Sequence, residues 1–215
     1  MTIKGRDLLI EIGTEELPHG IIADAIRGFK EGFLHGLEEE KIAFAGVEGF
    51  STPRRLALLI RDVAENQETF IEERRGPSID KAYNIDKKPS KALLGFLKGN
   101  GIGLDDIVVK ESGSSEYVFC VRKMGGEKTL SLLPAVLEKT LKTMSFPKTM
   151  RWEPSGFSFP RAIRWILFLF GRDKVPFAVA DVQSGNITFG HRVFAKGAVT
   201  VGSPSDYESL LGKSR

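Results

Sequence analysis

Two stretches of the chain interleave aromatic rings with cations: Phe146-Pro147-Lys148-Thr149-Met150-Arg151-Trp152 and Phe159-Pro160-Arg161-Ala162-Ile163-Arg164-Trp165. Rings can stack on unpaired nucleotides while Arg and Lys meet phosphates, a combination suited to single strands and loops. Lys148, Arg151, Trp152, Arg161 and Arg164 are therefore RNA-contact candidates. The same pattern also describes core aromatics with charges left at strand edges and in loops. In Ser51-Thr52-Pro53-Arg54-Arg55, the adjacent guanidinium groups of Arg54 and Arg55 follow a proline turn, and their planar forks of donors suit phosphate oxygens. A solvated turn accounts for them equally well. Arg74-Arg75 has both readings, and the neighbouring Glu72-Glu73 tilts it toward local ion pairing. Gly190-His191-Arg192 offers His191 and Arg192 to an RNA or a protein partner, although a lone histidine beside an arginine is more often structural. Glu15 and Glu16 could form an acid/base pair or hold a metal, but acids at a helix start are more simply explained by the helix dipole. Of the two tryptophans, Trp165 opens an apolar run and is expected in the core. Trp152, crowded by Arg151, Glu153 and Pro154, is expected to be more exposed.

Several chemistries lack their motifs. The chain has no Gly-x-x-x-x-Gly-Lys-Ser/Thr phosphate loop, no Gly-x-Gly-x-x-Gly fingerprint and no Gly-x-Ser-x-Gly elbow. Its single cysteine, Cys120, excludes an intrachain disulfide, and three scattered histidines make no zinc cluster with it. The longest apolar run, Trp165 to Phe170, is far shorter than a membrane span, and the start of the chain has no signal-peptide core. A cytoplasmic protein with no membrane partner is expected. The net charge of +3 on 215 residues is small. Its distribution is uneven, because Lys139, Lys142, Lys148, Arg151, Arg161, Arg164 and Arg172 face a single acid, Glu153, between positions 139 and 172.

The elements that must position these residues follow from apolar spacing. Leu8 to Ile12 reads as a buried strand ended by Gly13. Ile22, Ala25, Ile26, Phe29, Phe33 and Leu37 recur at helical steps after Pro18, predicting a helix to about Glu40. Val47 to Ser51, Leu56 to Val63 and Glu68 to Arg74 read as strands. Ser90 caps a helix that Gly99-Asn100-Gly101 ends. Val108 to Glu111 and Tyr117 to Lys123 form a hairpin, and Thr129 opens a helix ending before Pro147. Trp165 to Phe170 and Val175 to Val182 are expected to pair around Gly171-Arg172-Asp173-Lys174. Ile187 to Phe194 adds a strand, and the polar tail after Gly202 is expected to fray. The mixture without regular β-α-β alternation predicts an α+β fold of mainly antiparallel strands with several packed helices. The stretch from Gly76 to Lys91 is the best linker, dividing a region 1–77 from a region 78–215 unless the two form one domain.

Taken in order, Leu8 to Pro18, Ser51 to Ala57, Arg74 to Pro77, Pro147 to Trp152, Pro160 to Trp165 and Gly190 to Arg192 resemble the beta subunit of bacterial glycyl-tRNA synthetase. The resemblance runs from Leu8 to about Phe194. It implies part of an ATP-dependent class II glycine–tRNA ligase of alpha-two beta-two type. In that assembly the alpha subunit holds the site for glycine, ATP and magnesium, and the beta subunit recognises tRNA(Gly). The family's beta chain is much longer, so the resemblance implies an amino-terminal fragment without the later HD-type and anticodon-binding regions. It implies no catalytic residue, no metal and no cofactor in this chain. The expected role is a non-catalytic tRNA-binding and assembly portion. The alternatives are a purely structural module contacting alpha or the rest of beta, and a small enzyme using Glu15, Glu16 and His191.

Overall fold

Leu8, Leu9, Ile10 and Ile12 anchor β1 (Arg6–Thr14), in which every residue from Leu8 to Thr14 is buried. The computed structural model describes residues 5–113, 115–190 and 197–213. After β1 the chain makes a 3-10 turn (His19–Ile21) and then α1 (Ile22–Glu39), β2 (Gly46–Thr52), β3 (Arg55–Val63), β4 (Phe70–Ser78) and the one-turn α2 (Ile79–Ala82). Next come α3 (Lys91–Asn100), β5 (Ile107–Ser112), β6 (Ser115–Met124) and α4 (Thr129–Thr143). The last part holds β7 (Ile163–Phe170), β8 (Asp173–Lys174), β9 (Ala178–Val179), β10 (Val182–Gly185), β11 (Ile187–Phe189), β12 (Ala198–Thr200) and α5 (Tyr207–Lys213). The fold is α+β with mainly antiparallel strands, as expected.

Two compact units form: residues up to 68 together with those from 127 onward, and residues 69–126 inserted between them. A division after Pro77 instead falls inside the inserted unit. The reason is that β4 runs on to Ser78, which pairs with Tyr117 of β6. The stretch proposed as a linker carries α2 and a bridge between Tyr83 and Pro89. At the stem of the insertion, the Gln67 N–H donates to the Glu127 carbonyl at 2.8 Å, so the two crossing strands are tied together within the first unit.

The first unit is built on a sheet ordered β2-β3-β1-β7-β10-β9, with β8 also on β7. Alternation sorts its side chains onto two faces. Leu8, Ile10 and Ile12 share one face with Leu56, Leu58, Ile60, Ile166, Phe168 and Phe170, and all join the core with Phe29, Phe33 and Leu37 of α1 and Leu133 and Leu137 of α4. Leu9, Ala57, Leu59, Leu167 and Leu169 point the other way and meet Val201 and Tyr207. Both faces are covered, which is why the central strands read as unbroken apolar runs.

Two expectations are corrected. The segment from Val175 to Val182 is no single hairpin arm: β8 pairs with β7 for only two residues, and β10 then returns parallel to β7. Its apolar residues are split because Val175 and Val179 turn into the core while the Ser184 hydroxyl holds the Val175 carbonyl at 2.7 Å. From Ser203 to Lys213 the tail does not fray. It forms a 3-10 turn and α5, pinned by the buried Tyr207. Of the strand expected from Ile187 to Phe194, β11 covers Ile187–Phe189, and positions 191–196 lie outside the described residues.

The inserted unit is a sheet ordered β4-β6-β5 with α2 and α3 on one face. Ser90 caps α3 as expected, its hydroxyl accepting from the Leu93 N–H at 3.3 Å and donating to the Lys81 carbonyl at 2.6 Å. Gly101 closes that helix at φ +60, a left-handed position glycine takes without strain.

Glycines in α1 give a stability test. A Cβ at Gly28 meets nothing within 4 Å, whereas one at Gly36 sits 2.7 Å from Val136 Cγ1 of α4, a stiff β-branched side chain. Gly28→Ala should stabilise by about 1 kcal/mol through helix propensity. Gly36→Ala should lose that gain to overpacking and destabilise by ~1–2 kcal/mol. Denaturant melts that rank the two variants the other way would reject the close α1–α4 packing.

Candidate functional site

Three strands present one row of residues to the second face of the central sheet. Arg55 of β3 pairs with Gly13 of β1, which pairs with Trp165 of β7. The next row is Ala57, Glu11 and Leu167. Glycine leaves room for the indole: a Cβ on Gly13 would lie 1.9 Å from Trp165 Cε2. Lying across that gap, Trp165 donates Nε1–H to Glu11 Oε1 at 2.5 Å. Phe189 closes over the ring edge-on at 4.9 Å.

Glu11 is fully buried, and its carboxylate is filled by protein. Oε1 also accepts from the Thr188 hydroxyl at 2.7 Å. Oε2 accepts from the Tyr207 hydroxyl and lies 3.7 Å from Arg55 Nη1. Arg55 donates its other terminal nitrogen to the Phe189 carbonyl. Burial, followed by the negative charge of Glu11, pushes the Tyr207 phenol above its ordinary range. With three hydrogen bonds, a guanidinium at 3.7 Å and no solvent access, Glu11 is a structural hub. Sequence reasoning did not single it out, although one acid inside Leu8-Leu9-Ile10-Glu11-Ile12 is a visible signal.

This geometry reassigns several candidates. Arg55 is 9% exposed and committed to Glu11, so its expected phosphate contact is corrected to an internal ion pair. Arg54 is half-buried, and its Nε has no partner among the described residues. Trp152, expected to be the more exposed of the two tryptophans, is half-buried. It packs on the main core with its indole N–H enclosed, edge-on to Phe157 at 5.8 Å. Trp165 is likewise half-buried. His191 and Arg192 lie outside the described residues. Glu15 pairs with Arg164 at 3.2 Å, Glu16 is exposed, and no group of three metal-binding side chains occurs among the described residues. Arg74 pairs with Glu72 at 3.0 Å, the local contact its neighbours suggested.

The segment between α4 and β7 sorts its two residue types. Phe146, Trp152, Phe157 and Phe159 pack onto the core. Met150 and Phe159 exchange backbone hydrogen bonds at 2.9 and 3.2 Å, holding the segment as a loop that doubles back. Lys148, Arg151, Arg161 and Arg164 are left exposed. Lys148 and Arg151 have no ion-pair partner among the described residues, whereas Lys139 pairs with Glu39 at 2.5 Å and Lys142 with Glu138 at 2.6 Å. The basic run therefore narrows to a few projecting cations on an aromatic base.

Two measurements check the Glu11 hub. Gly13→Ala must displace the Trp165 indole and should cost about 3 kcal/mol, and Glu11→Gln should cost ~3–5 kcal/mol by leaving Arg55 buried without its counter-charge. A cost below about 1 kcal/mol for both in urea melts would reject the hub. Because the folded Tyr207 phenol is held above its unfolded value of 10.0, its contribution is complete below that pH and is lost as pH rises beyond it. The alkaline decline in stability should therefore be shallower in Tyr207→Phe than in the parent chain.

A family model described as the glycyl-tRNA synthetase beta subunit matches residues 8–215. The chain is 40% identical over 206 residues to the glycine–tRNA ligase beta subunit of Bacillus subtilis (strain 168), covering 96% of this chain and 30% of that protein. It is 37% identical over 202 residues to the Desulforamulus reducens glycine–tRNA ligase beta subunit, covering 94% and 29%. The Moorella thermoacetica protein of the same description matches at 37% over 206 residues, covering 96% and 30%. This chain thus spans about 30% of the length of the curated relatives it matches. With the family model covering nearly all of it, the chain belongs to the glycyl-tRNA synthetase beta-subunit family.

Proposed function

We propose that this chain is a non-catalytic tRNA-binding and assembly portion of a cytoplasmic glycine–tRNA ligase, supporting glycylation of tRNA(Gly) by an alpha subunit in an alpha-two beta-two enzyme. Glycine, ATP and magnesium are assigned to the alpha subunit. In this chain Glu11 and Glu15 are committed to protein partners. The observation that carries the tRNA part of the reading is the projection of Lys148 and Arg151, with Arg161 and Arg164 nearby in sequence, from a loop whose aromatics are anchored inward. Cations on a rigid base meet phosphates with little loss of freedom, and such contacts position a nucleic acid without reading its bases. No described helix is long and apolar enough to cross a membrane.

A second reading, a module that only joins alpha to the rest of beta, is favoured by one specific finding. Arg55 is almost wholly buried beside Glu11, and the Trp152 ring packs half-buried on the core with its N–H enclosed, which supports an internal role for both.

Salt dependence separates the readings. Each neutralised phosphate releases counterions, so about four contacts predict a log–log slope of tRNA affinity against salt near roughly −3. Arg151→Ala should make the slope shallower by about 0.7–0.9 and weaken different tRNAs alike. No tRNA binding at low salt, together with capture of the alpha subunit, would leave the joining module. The purified chain alone should show no glycine-dependent ATP–pyrophosphate exchange.

A further inference from the structure

The inserted unit has a face that none of its own helices covers. On β6, Val118 and Cys120 point toward α2 and α3 and are buried. Alternation turns Tyr117, Phe119, Val121 and Lys123 to the opposite side. The registers add Val108 and Lys110 from β5 and Ile71, Glu73 and Arg75 from β4 to that side. Tyr117, Phe119 and Val121 belong to none of the hydrophobic cores, while Val108 is 44% and Ile71 66% exposed.

Cations lie over the rings of this face. The Arg75 guanidinium carbon is 4.5 Å from the Tyr117 ring centre, and Lys110 Nζ is 5.9 Å from that of Phe119. Glu73 is the sole acid in this set, and it is already paired with Lys110. The face is therefore net positive. Rings with arginine also occur at protein–protein contacts, but lysine is depleted there, and this face carries both Lys110 and Lys123. Tyr117 and Phe119 are two residues apart on one strand, about 6.7 Å, a spacing that lets each ring meet a separate base. Arg75 on the flanking strand β4, and Lys123 farther along β6 itself, are then placed to meet phosphates of such a strand, while Lys110 stays with Glu73. Arg75 adds a planar guanidinium on which a base can stack.

We propose that the outward face of β4, β6 and β5 binds two or three unpaired RNA nucleotides, with Tyr117, Phe119 and the Arg75 guanidinium as stacking planes and Lys123 on phosphate. The inference extends the tRNA reading by a second contact of different chemistry, and it rests on that reading only for where the unpaired strand comes from. Phosphate contacts at Lys148 and Arg151 are indifferent to base pairing. Stacking on this face requires unpaired bases.

The test is fluorescence anisotropy of the 215-residue chain with a labelled unstructured 12-nucleotide RNA and with a hairpin duplex carrying the same number of phosphates. The single strand should bind more tightly. Phe119→Leu, which keeps an apolar side chain and removes the ring, should weaken single-strand binding roughly 5- to 100-fold, the range for one stacked base. Phe119→Trp should retain binding and show indole quenching as RNA is added. Should Phe119→Leu lose its cooperative melt, Arg75→Gln, an exposed substitution, should still weaken binding several-fold. Equal affinity for strand and duplex, or parental affinity in folded Phe119→Leu or Arg75→Gln, overturns the proposal. So does a chain that self-associates through this face and becomes monomeric in Ile71→Ser. The two readings fail separately: an unchanged tRNA salt slope in Arg151→Ala counts against the loop, and an unchanged single-strand affinity in Phe119→Leu counts against the sheet face.

Discussion

A carboxylate with no solvent access, set among leucines in the middle of a sheet, costs several kcal/mol unless its lone pairs are filled. Glu11 meets that condition by drawing in groups from across the chain. Trp165 comes from β7, Thr188 from β11, Tyr207 from α5 and Arg55 from β3. Each partner in turn fixes something else. The Trp165 indole needs Gly13 to have no side chain, Arg55 holds the Phe189 carbonyl, and Tyr207 holds the end of the described chain on the sheet. An apolar residue at position 11 would remove the desolvation cost. It would also remove the directional demand that brings those four groups to one point.

That hub explains why the two faces of the central sheet differ. The face under α1 and α4 is a continuous hydrocarbon core whose partners are interchangeable in kind, since burial is non-directional. The opposite face is smaller and polar at one end. Its order depends on hydrogen bonds with defined donors, so single-atom changes there matter more than changes of similar size beneath the helices.

The loop from α4 to β7 shows how an apparent stacking motif can become an anchor. Phe146, Trp152, Phe157 and Phe159 interleave with bases in sequence, yet edge-on and stacked ring contacts gather them on the core side. The cations lose their proposed neighbours and gain a rigid platform. In the inserted unit the relation is reversed. Tyr117 and Phe119 stay on an open sheet face because the two short helices of that unit cover only one side.

Much of the fold was legible in the sequence. Helical steps from Ile22 to Leu37, the Ser90 cap with Gly101 beyond it, and the runs that became β1, β3 and β7 are local patterns, read from spacing and turn chemistry within a dozen residues. The exposed Lys148 and Arg151 were visible for the same reason, as was the ordered series of motifs marking the family. Other features depend on partners far apart in the chain. Arg55 looked like a surface guanidinium because Glu11 lies 44 positions away. The tail looked polar and loose because the bond from Tyr207 to Glu11 spans 196 positions. The insertion boundary was missed because β4 is joined to its unit by pairing with β6, whose partner residues lie 39 to 54 positions on. Spacing carries what neighbouring residues impose on one another. The pairing of buried polar groups, and the side of a sheet left open, exist only once distant strands have met.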